Sequence, residues 1–295
     1  EELTPDFERY GIRLNMEAHP YDFAELHDDA YSLIRGVDKE WIGYEFCCPH
    51  AFHLHHGRGD VVGAVTLFRE ALAMSRRLYP GDHPRVAGGL NNLSVVLKNS
   101  GDLAGAEPLA RETLEMRRRL FPGDHPYVAT GLNNLALVIQ ERGDLVAPEA
   151  LYRESLAMRR RLYPEGHVSI ATDLNNLAGL LLERNEPASA EPLYAEAVEL
   201  YERTQGAGFW RTGIARQGLG RSFTALGRFA AAEPELVAAE KILSTAQGVP
   251  AGRHARSVEA LVALYEAWEK ADPGRDHAGE AARWRQKVAG VPAQR

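Results

Sequence analysis

Residues 122–135 of the chain read Pro-Gly-Asp-His-Pro-Tyr-Val-Ala-Thr-Gly-Leu-Asn-Asn-Leu, and parts of this stretch recur at a fixed distance. Its last four residues form a Leu-Asn-Asn-Leu block that occurs at 90–93, 132–135 and 174–177, a spacing of 42 residues both times. Its first five residues also occur at 80–84, again 42 residues away. Two motifs that share one period predict a repeat protein, in which each repeat is one supersecondary unit.

Each repeat is predicted to be a pair of helices. Between the motifs, apolar residues such as Val128, Leu132 and Leu135 recur at helical spacing. Gly-Asp pairs, as at 101–102 and 143–144, divide each repeat, because Gly ends one helix and Asp caps the next. The predicted elements are a single helix at 60–79 and helix pairs at 83–120, 125–162, 167–204, 209–246 and 253–289.

The repeat motifs resemble those of tetratricopeptide-repeat proteins, and specifically the 42-residue repeats of kinesin light chains. The resemblance rests on the Leu-Asn-Asn-Leu blocks, the Gly-Asp turns and the Ala-Glu-Pro-Leu segments at 106–109 and 190–193, and it covers about residues 60–290. It implies an all-α fold, a right-handed superhelical solenoid of antiparallel helix pairs, which we assign to a domain at 59–290. It also implies that a protein or peptide partner lies in the concave groove of the array.

The asparagine pairs of the repeats are the candidate binding residues. In a stacked array the first helices of successive hairpins line the concave face, so one residue per repeat forms a ladder. Amide side chains offer both donors and acceptors to an extended peptide backbone. In the related light-chain repeats these asparagines contact peptide, which by resemblance points to Asn92, Asn134 and Asn176, with Asn91, Asn133 and Asn175 alongside. Alternatively, one asparagine of each pair caps or cross-links neighbouring hairpins.

Other recurring positions have more ordinary interpretations. Specificity is expected from the variable residues Thr130, Leu137, Glu141, Thr172 and Glu183. The histidines at 83, 125 and 167 are predicted to start helices, because a catalytic base would not recur three times. The arginine runs at 117–119 and 159–161 either form a basic ridge or balance acidic residues one turn earlier, such as Glu112, Glu115 and Glu154.

Residues 1–58 differ in character and are predicted to form a short α/β segment in the order strand, helix, strand. Through 16–20 and 42–50 this segment resembles a piece of a sugar-phosphate isomerase or epimerase barrel. The resemblance implies a metal ligand at Glu17 and a substrate contact at His50, although Cys47 stands where the family has aspartate. Eight strands close such a barrel, and the segment is predicted to contain only two. We therefore favour a non-catalytic remnant of the barrel. The alternative is a metal-dependent sugar isomerase or epimerase module, with the repeats as its targeting arm.

A second metal hypothesis concerns the cluster formed by Cys47, Cys48, His50, His53, His55 and His56. All six residues fall within one short segment, and their spacing fits no standard zinc pattern. The two cysteines are neighbours and do not easily meet disulfide geometry. We therefore predict neither a metal site nor a cofactor.

The overall composition narrows the class of partner. The net charge of -7 disfavours nonspecific nucleic-acid binding, which depends on neutralising phosphates. The sequence has no apolar run long enough for a membrane span and no signal-peptide pattern in its first thirty residues. We predict a cytoplasmic protein-binding scaffold that is not an enzyme and that contacts neither nucleic acid nor membrane. Stacking of solenoid ends into a homo-oligomer is a further hypothesis.

Overall fold

The computed structural model of the chain describes residues 61–250, 252–273 and 275–290, and within these ranges every regular element is an α-helix. The all-α prediction for the repeat region is thereby confirmed. The predictions made for 1–58, including the barrel-like segment and the Cys/His cluster, lie outside the described residues. The helices are α1 (Val61–Leu78), α2 (Pro84–Asn99), α3 (Leu103–Leu120), α4 (Pro126–Glu141), α5 (Ala147–Leu162), α6 (Val168–Glu183), α7 (Pro187–Gln205), α8 (Trp210–Ala225), α9 (Phe229–Thr245), α10 (Arg253–Ala271) and α11 (His277–Gly290).

The chain divides into two compact units, one ending at Val96 and one beginning at Leu97. In the second unit each helix from α3 to α11 packs against the next one along the chain. Three to five residues join α4 to α5, α6 to α7, α8 to α9 and α10 to α11, so each of these couples is an antiparallel helical hairpin. The first helices of successive hairpins also touch, since α4 contacts α6, α6 contacts α8 and α8 contacts α10.

Local chemistry ends and starts the helices where the motifs predicted. Gly101 and Gly143 adopt positive φ angles of 87° and 96°, a backbone conformation that glycine takes without a steric cost. The side chain of Asp102 accepts the N–H of Gly105 at 2.9 Å, and Oδ1 of Asp144 accepts the N–H of Val146 at 2.8 Å. Asp102 is thus the N-cap residue of α3, whereas α5 begins two residues later than the motif predicts, with Val146 as its N-cap residue and Asp144 bonded in the turn before it.

The recurring histidines start helices, as predicted. His125 and His167 are the N-cap residues of α4 and α6, and each Nδ1 accepts the backbone N–H two residues later, at 3.2 Å and 3.1 Å. Each imidazole also stacks on the aromatic ring four residues before it, with ring centroids 4.0 Å and 4.4 Å apart. Burial, and then the neighbouring charges of Arg117 and Arg159, lower the pKa of His125 and His167. Neutral rings that accept at Nδ1 are therefore favoured.

The core of the second unit lies between the packed helices and depends on small residues at the closest approaches. Five small residues on α3, α5 and α7 are at most 1% exposed, which lets the neighbouring backbones come close together. They are Ala106, Thr113, Ser155, Ala190 and Ala197. None of the described helices is both long enough and apolar enough to cross a membrane.

Candidate functional site

The exposed faces of α4, α6 and α8 lie side by side, because these first helices touch one another. Positions spaced by four, three and four residues share one face of a helix. On this face the residues are half-buried or exposed, except Gly218, whereas Val128, Leu132 and Leu135 on the opposite face of α4 are buried. We call this face the first-helix surface. Its residues are Thr130, Asn134, Leu137 and Glu141 on α4, Thr172, Asn176, Gly179 and Glu183 on α6, and Ile214, Gly218, Arg221 and Ala225 on α8.

A hydrogen bond between two asparagines connects successive hairpins on this surface. Nδ2 of Asn176 donates to Oδ1 of Asn133 at 3.0 Å. Asn133 is only 6% exposed, so it lies beneath the surface, whereas Asn134 and Asn176 are half-buried. The first asparagine of one repeat is thus hydrogen-bonded to the second asparagine of the next repeat. This is the alternative in which one asparagine of each pair cross-links neighbouring hairpins. This contact fixes the orientation of the Asn176 amide.

The other asparagines of the Leu-Asn-Asn-Leu blocks differ from one another. Oδ1 of Asn175 is buried and accepts no hydrogen bond from the described residues. In the unit that ends at Val96, Nδ2 of Asn91 lies 3.5 Å from Oδ1 of Asn92. Asparagines in identical Leu-Asn-Asn-Leu blocks therefore have different hydrogen-bond partners. Asn134 and Asn176 are the two that lie on the first-helix surface.

Two carboxylates at the carboxyl-terminal ends of α4 and α6 are held by the preceding first helix. Nζ of Lys98 lies 3.1 Å from Glu141, and Nε2 of Gln140 donates to Glu183 at 2.8 Å. Lys98 and Gln140 occupy the same position in successive repeats, so the two bonds are one feature repeated. Oε1 of Gln140 also accepts the hydroxyl of Tyr152 at 2.9 Å. These bonds position Glu141 and Glu183 at one margin of the first-helix surface.

The two threonines of the surface bond to their own helix. Oγ1 of Thr130 donates to the carbonyl of Pro126 at 3.0 Å, and Oγ1 of Thr172 donates to that of Val168 at 3.1 Å. The hydroxyl of Thr172 also lies 3.1 Å from the hydroxyl of Tyr201. Because their hydroxyls are engaged in this way, the two threonines present mainly their methyl groups to a ligand.

A buried polar cluster lies beneath the surface and was missed in the sequence. Asp173 is 0% exposed; its Oδ2 lies 3.3 Å from Nε of Arg159 and accepts the hydroxyl of Ser155 at 2.5 Å. Oδ1 of Asp173 has no hydrogen-bond partner among the described residues. Burial raises the pKa of Asp173 to about 6, although Arg159 and Ser155 act in the opposite direction. The equivalent position one repeat earlier is Gly131, so the aspartate at 173 is a difference between repeats that could have drawn attention to this position.

The arginine runs tie successive hairpins together and do not form a free basic ridge. Arg117 and Arg159 are buried, and each donates to a backbone carbonyl at the start of the next first helix, at 3.0 Å and 2.9 Å. Arg118 pairs with Glu154 at 2.7 Å. In the same register Arg160 pairs with Glu196 on the following second helix, at 2.6 Å. The arginine runs lie in the last turns of α3 and α5, and the ion pairs of Arg118, Arg160 and Arg161 join neighbouring hairpins.

Comparison with known proteins decides the family. Tetratricopeptide-repeat profiles match residues 53–85, 86–127 and 127–203, which together exceed half of the chain. The chain belongs to the tetratricopeptide-repeat family. No curated protein matches it in sequence, and no comparison supports the resemblance of residues 1–58 to a sugar-phosphate isomerase.

Several solved structures share the fold. The BtubC (BKLC) structure from P. vanneervenii is 21% identical, with a TM-score of 0.63 over 80% of this chain and 95% of that one. A kinesin light chain of P. anserina with nearly identical TPR-like repeats is 18% identical, with a TM-score of 0.56 over 68% and 95%. The Rap conjugation gene regulator of plasmid pLS20, in complex with the Phr* peptide, is 10% identical, with a TM-score of 0.57 over 96% and 83%. These likenesses confirm the kinesin-light-chain-like repeat fold.

Proposed function

We propose that this tetratricopeptide-repeat chain is a protein-binding scaffold that holds an extended segment of its partner on the first-helix surface. The observation that carries the proposal is the hydrogen bond from Asn176 to Asn133. It uses one of the two hydrogens on Nδ2 of Asn176, so the second hydrogen and Oδ1 are available to a peptide backbone. A fixed amide binds a backbone at a lower entropic cost than a rotating one.

The remaining residues of the surface supply selectivity. Leu137 is half-buried and apolar, and Glu141 and Glu183 are exposed carboxylates held at the margin. A partner side chain that matches these groups gains contact area and charge complementarity, whereas a mismatched one leaves a polar group without a partner. The similar Rap regulator is described in complex with a peptide, which supports a peptide ligand for this fold.

The proposal is tested by partner capture with the full chain. The variant carries Asn92→Ala, Asn134→Ala and Asn176→Ala, and the control carries Asn185→Gly. Asn185 lies in the turn before α7 with a φ of 61°, where glycine is tolerated, so the control removes an amide without touching the first-helix surface. Proteins captured by the wild type and the control, and lost by the triple variant at unchanged helicity, support the proposal. Equal capture by the triple variant refutes the role of the asparagines.

Several finer predictions stand beside this proposal. From the composition and the family we infer a cytoplasmic location, partners that are not nucleic acids, and no enzymatic activity. The stacking of solenoid ends into a homo-oligomer stays a hypothesis. The metal-dependent isomerase alternative concerns residues outside the described ranges. Metal analysis of the purified chain tests it, because stoichiometric divalent metal that is lost in Glu17→Ala would favour that alternative.

A further inference from the structure

One position on the first-helix surface lacks the side chain that the preceding repeat carries there. Gly179 on α6 stands one period after Leu137 on α4. Among the described residues beyond its own helix, a Cβ added at Gly179 would meet one atom within 4 Å, the hydroxyl oxygen of Tyr194 at 3.5 Å. The space that the Leu137 side chain takes up in its own repeat is therefore open at Gly179. We call the space above Gly179 and the Tyr194 hydroxyl the Gly179 notch.

The Tyr194 hydroxyl lacks the partner that its equivalent has one repeat earlier. Tyr152 donates its hydroxyl to Gln140 at 2.9 Å, whereas Leu182 stands at the position of Gln140 in the next repeat. Tyr194 is only 5% exposed, and its hydroxyl makes no hydrogen bond to a described residue. A buried hydroxyl without a partner has a desolvation cost that a ligand can remove. The hydroxyl is therefore available to a ligand group that enters the Gly179 notch.

A second glycine lets the Tyr194 ring lie between α6 and α8. A Cβ added at Gly218 would lie 2.2 Å from this ring, and Gly218 stands one period after Asn176. The loss of that side chain also removes a donor. Oδ1 of Asn133 accepts from Asn176, whereas Oδ1 of Asn175 is buried and has no partner among the described residues. Two hydrogen bonds of the preceding repeat are therefore missing at this place, and both leave a polar group unsatisfied.

Opposite charges stand on the two sides of the notch. Glu183 lies four positions after Gly179 on α6, which places both on one face of that helix. Arg221 on α8 stands one period after Gly179, and its side chain is exposed. Burial raises the pKa of Tyr194 to about 12, while the positive charges of Arg221 and Arg253 lower it and the negative charge of Glu183 raises it. The hydroxyl is thus protonated at neutral pH and lies within the field of charges of both signs.

We infer that the Gly179 notch binds the primary amide of a glutamine or asparagine side chain of the partner segment. The inference rests on the proposed function and names one side chain that the partner carries. A primary amide has an acceptor oxygen and a donor nitrogen, so the oxygen accepts from Tyr194 or Arg221 while the nitrogen donates to Glu183. A carboxylate in the same place is repelled by Glu183, and an ammonium group is repelled by Arg221. An apolar side chain leaves the buried hydroxyl without a partner.

The test compares four pools of degenerate dodecapeptides that differ only at one fixed central position, which is glutamine, glutamate, lysine or leucine. Retention of each pool on the immobilised full chain is measured for the wild type, for Gly179→Leu, for Tyr194→Phe and for the control Ala225→Leu. Gly179→Leu fills the notch with the side chain of the preceding repeat, and Tyr194→Phe keeps the ring and removes only the hydroxyl. Ala225 is an exposed residue at the end of α8 on the same surface, so the control adds an identical side chain outside the notch.

We expect the wild type and the control to retain the glutamine pool more strongly than the other three pools. Loss of one neutral hydrogen bond lowers affinity about threefold to tenfold, so Tyr194→Phe loses most of that preference. Gly179→Leu loses all of it, because the added leucine takes the space that the ligand side chain needs. Far-UV circular dichroism checks that each variant keeps the helicity of the wild type.

The outcomes separate this inference from the proposed function. Equal retention of the four pools by the wild type overturns the inference, and so does a preference for glutamate, lysine or leucine. A glutamine preference that survives in Gly179→Leu or in Tyr194→Phe overturns it as well, as does retention of none of the pools. If all pools bind equally and Asn134→Ala with Asn176→Ala abolishes that binding, the scaffold function stands while the amide site falls.

Discussion

Replacing Asp173 by Asn changes how the stability of the chain depends on pH, because this carboxyl is buried and its pKa is raised to about 6 from an ordinary value of 3.8. Between those two pH values the folded chain keeps the proton that the unfolded chain releases. The free energy of unfolding then falls by about 1.4 kcal/mol per pH unit as the pH rises, and becomes flat above pH 6. Over the whole interval the loss is about 3 kcal/mol.

The assay compares urea unfolding of the wild type and Asp173→Asn at pH 4.5 and pH 7, followed by circular dichroism. Asparagine has the shape of a protonated aspartic acid and does not titrate. The wild type therefore loses about 2 kcal/mol relative to the variant between the two pH values. Subtracting the change in unfolding free energy of the variant from that of the wild type removes the contributions of the histidines and of the other titrating groups that both proteins share.

A control variant separates burial from the loss of one negative charge. Glu259→Gln removes an exposed carboxylate from α10, and we expect it to follow the wild type at both pH values. If Asp173→Asn also follows the wild type within about 0.5 kcal/mol, a difference typical of surface substitutions, the account of a desolvated Asp173 is wrong.

Two further variants, one of them a double substitution, test the local structure by equilibrium unfolding, and a third serves as a control. His125→Ala with His167→Ala removes two helix caps at about 1 kcal/mol each. Because the pKa of each histidine is lowered in the folded chain, the wild type loses stability as the pH falls below about 6.5, and a double variant that keeps this loss would contradict the cap assignment. Gly218→Ala places a Cβ 2.2 Å from the ring of Tyr194 and costs about 1–3 kcal/mol. Gly208→Ala meets nothing within 4 Å, so equal stability of the two alanine variants would show that the ring does not occupy that space.

The sequence predicts the parts of this fold that depend on neighbours along the chain. Helix pairs follow from apolar spacing, and the turns follow from Gly101 and Asp102 or from His125, because caps and left-handed turns involve residues only two or three positions apart. The repeat period also predicts which residues share the first-helix surface, since equivalent positions in stacked hairpins form rows.

Contacts between hairpins are the part that the period alone does not predict. The bond from Asn176 to Asn133 joins residues 43 positions apart, and the pair of Arg118 with Glu154 joins residues 36 apart. These offsets depend on how far one hairpin rotates against the next, which sequence spacing does not encode. Asp173 stands at the position that Gly131 occupies in the preceding repeat, and this difference between the repeats is visible in the sequence.

The position of a bound partner tests the central claim most directly. A photo-reactive benzoylphenylalanine at Leu137 lies on the first-helix surface, whereas the same group at Arg153 lies on the exposed face of α5. With the partner captured by the wild-type chain, irradiation should cross-link the partner at position 137 and leave it uncoupled at position 153. Cross-linking at 153 and none at 137 would contradict binding on the first-helix surface.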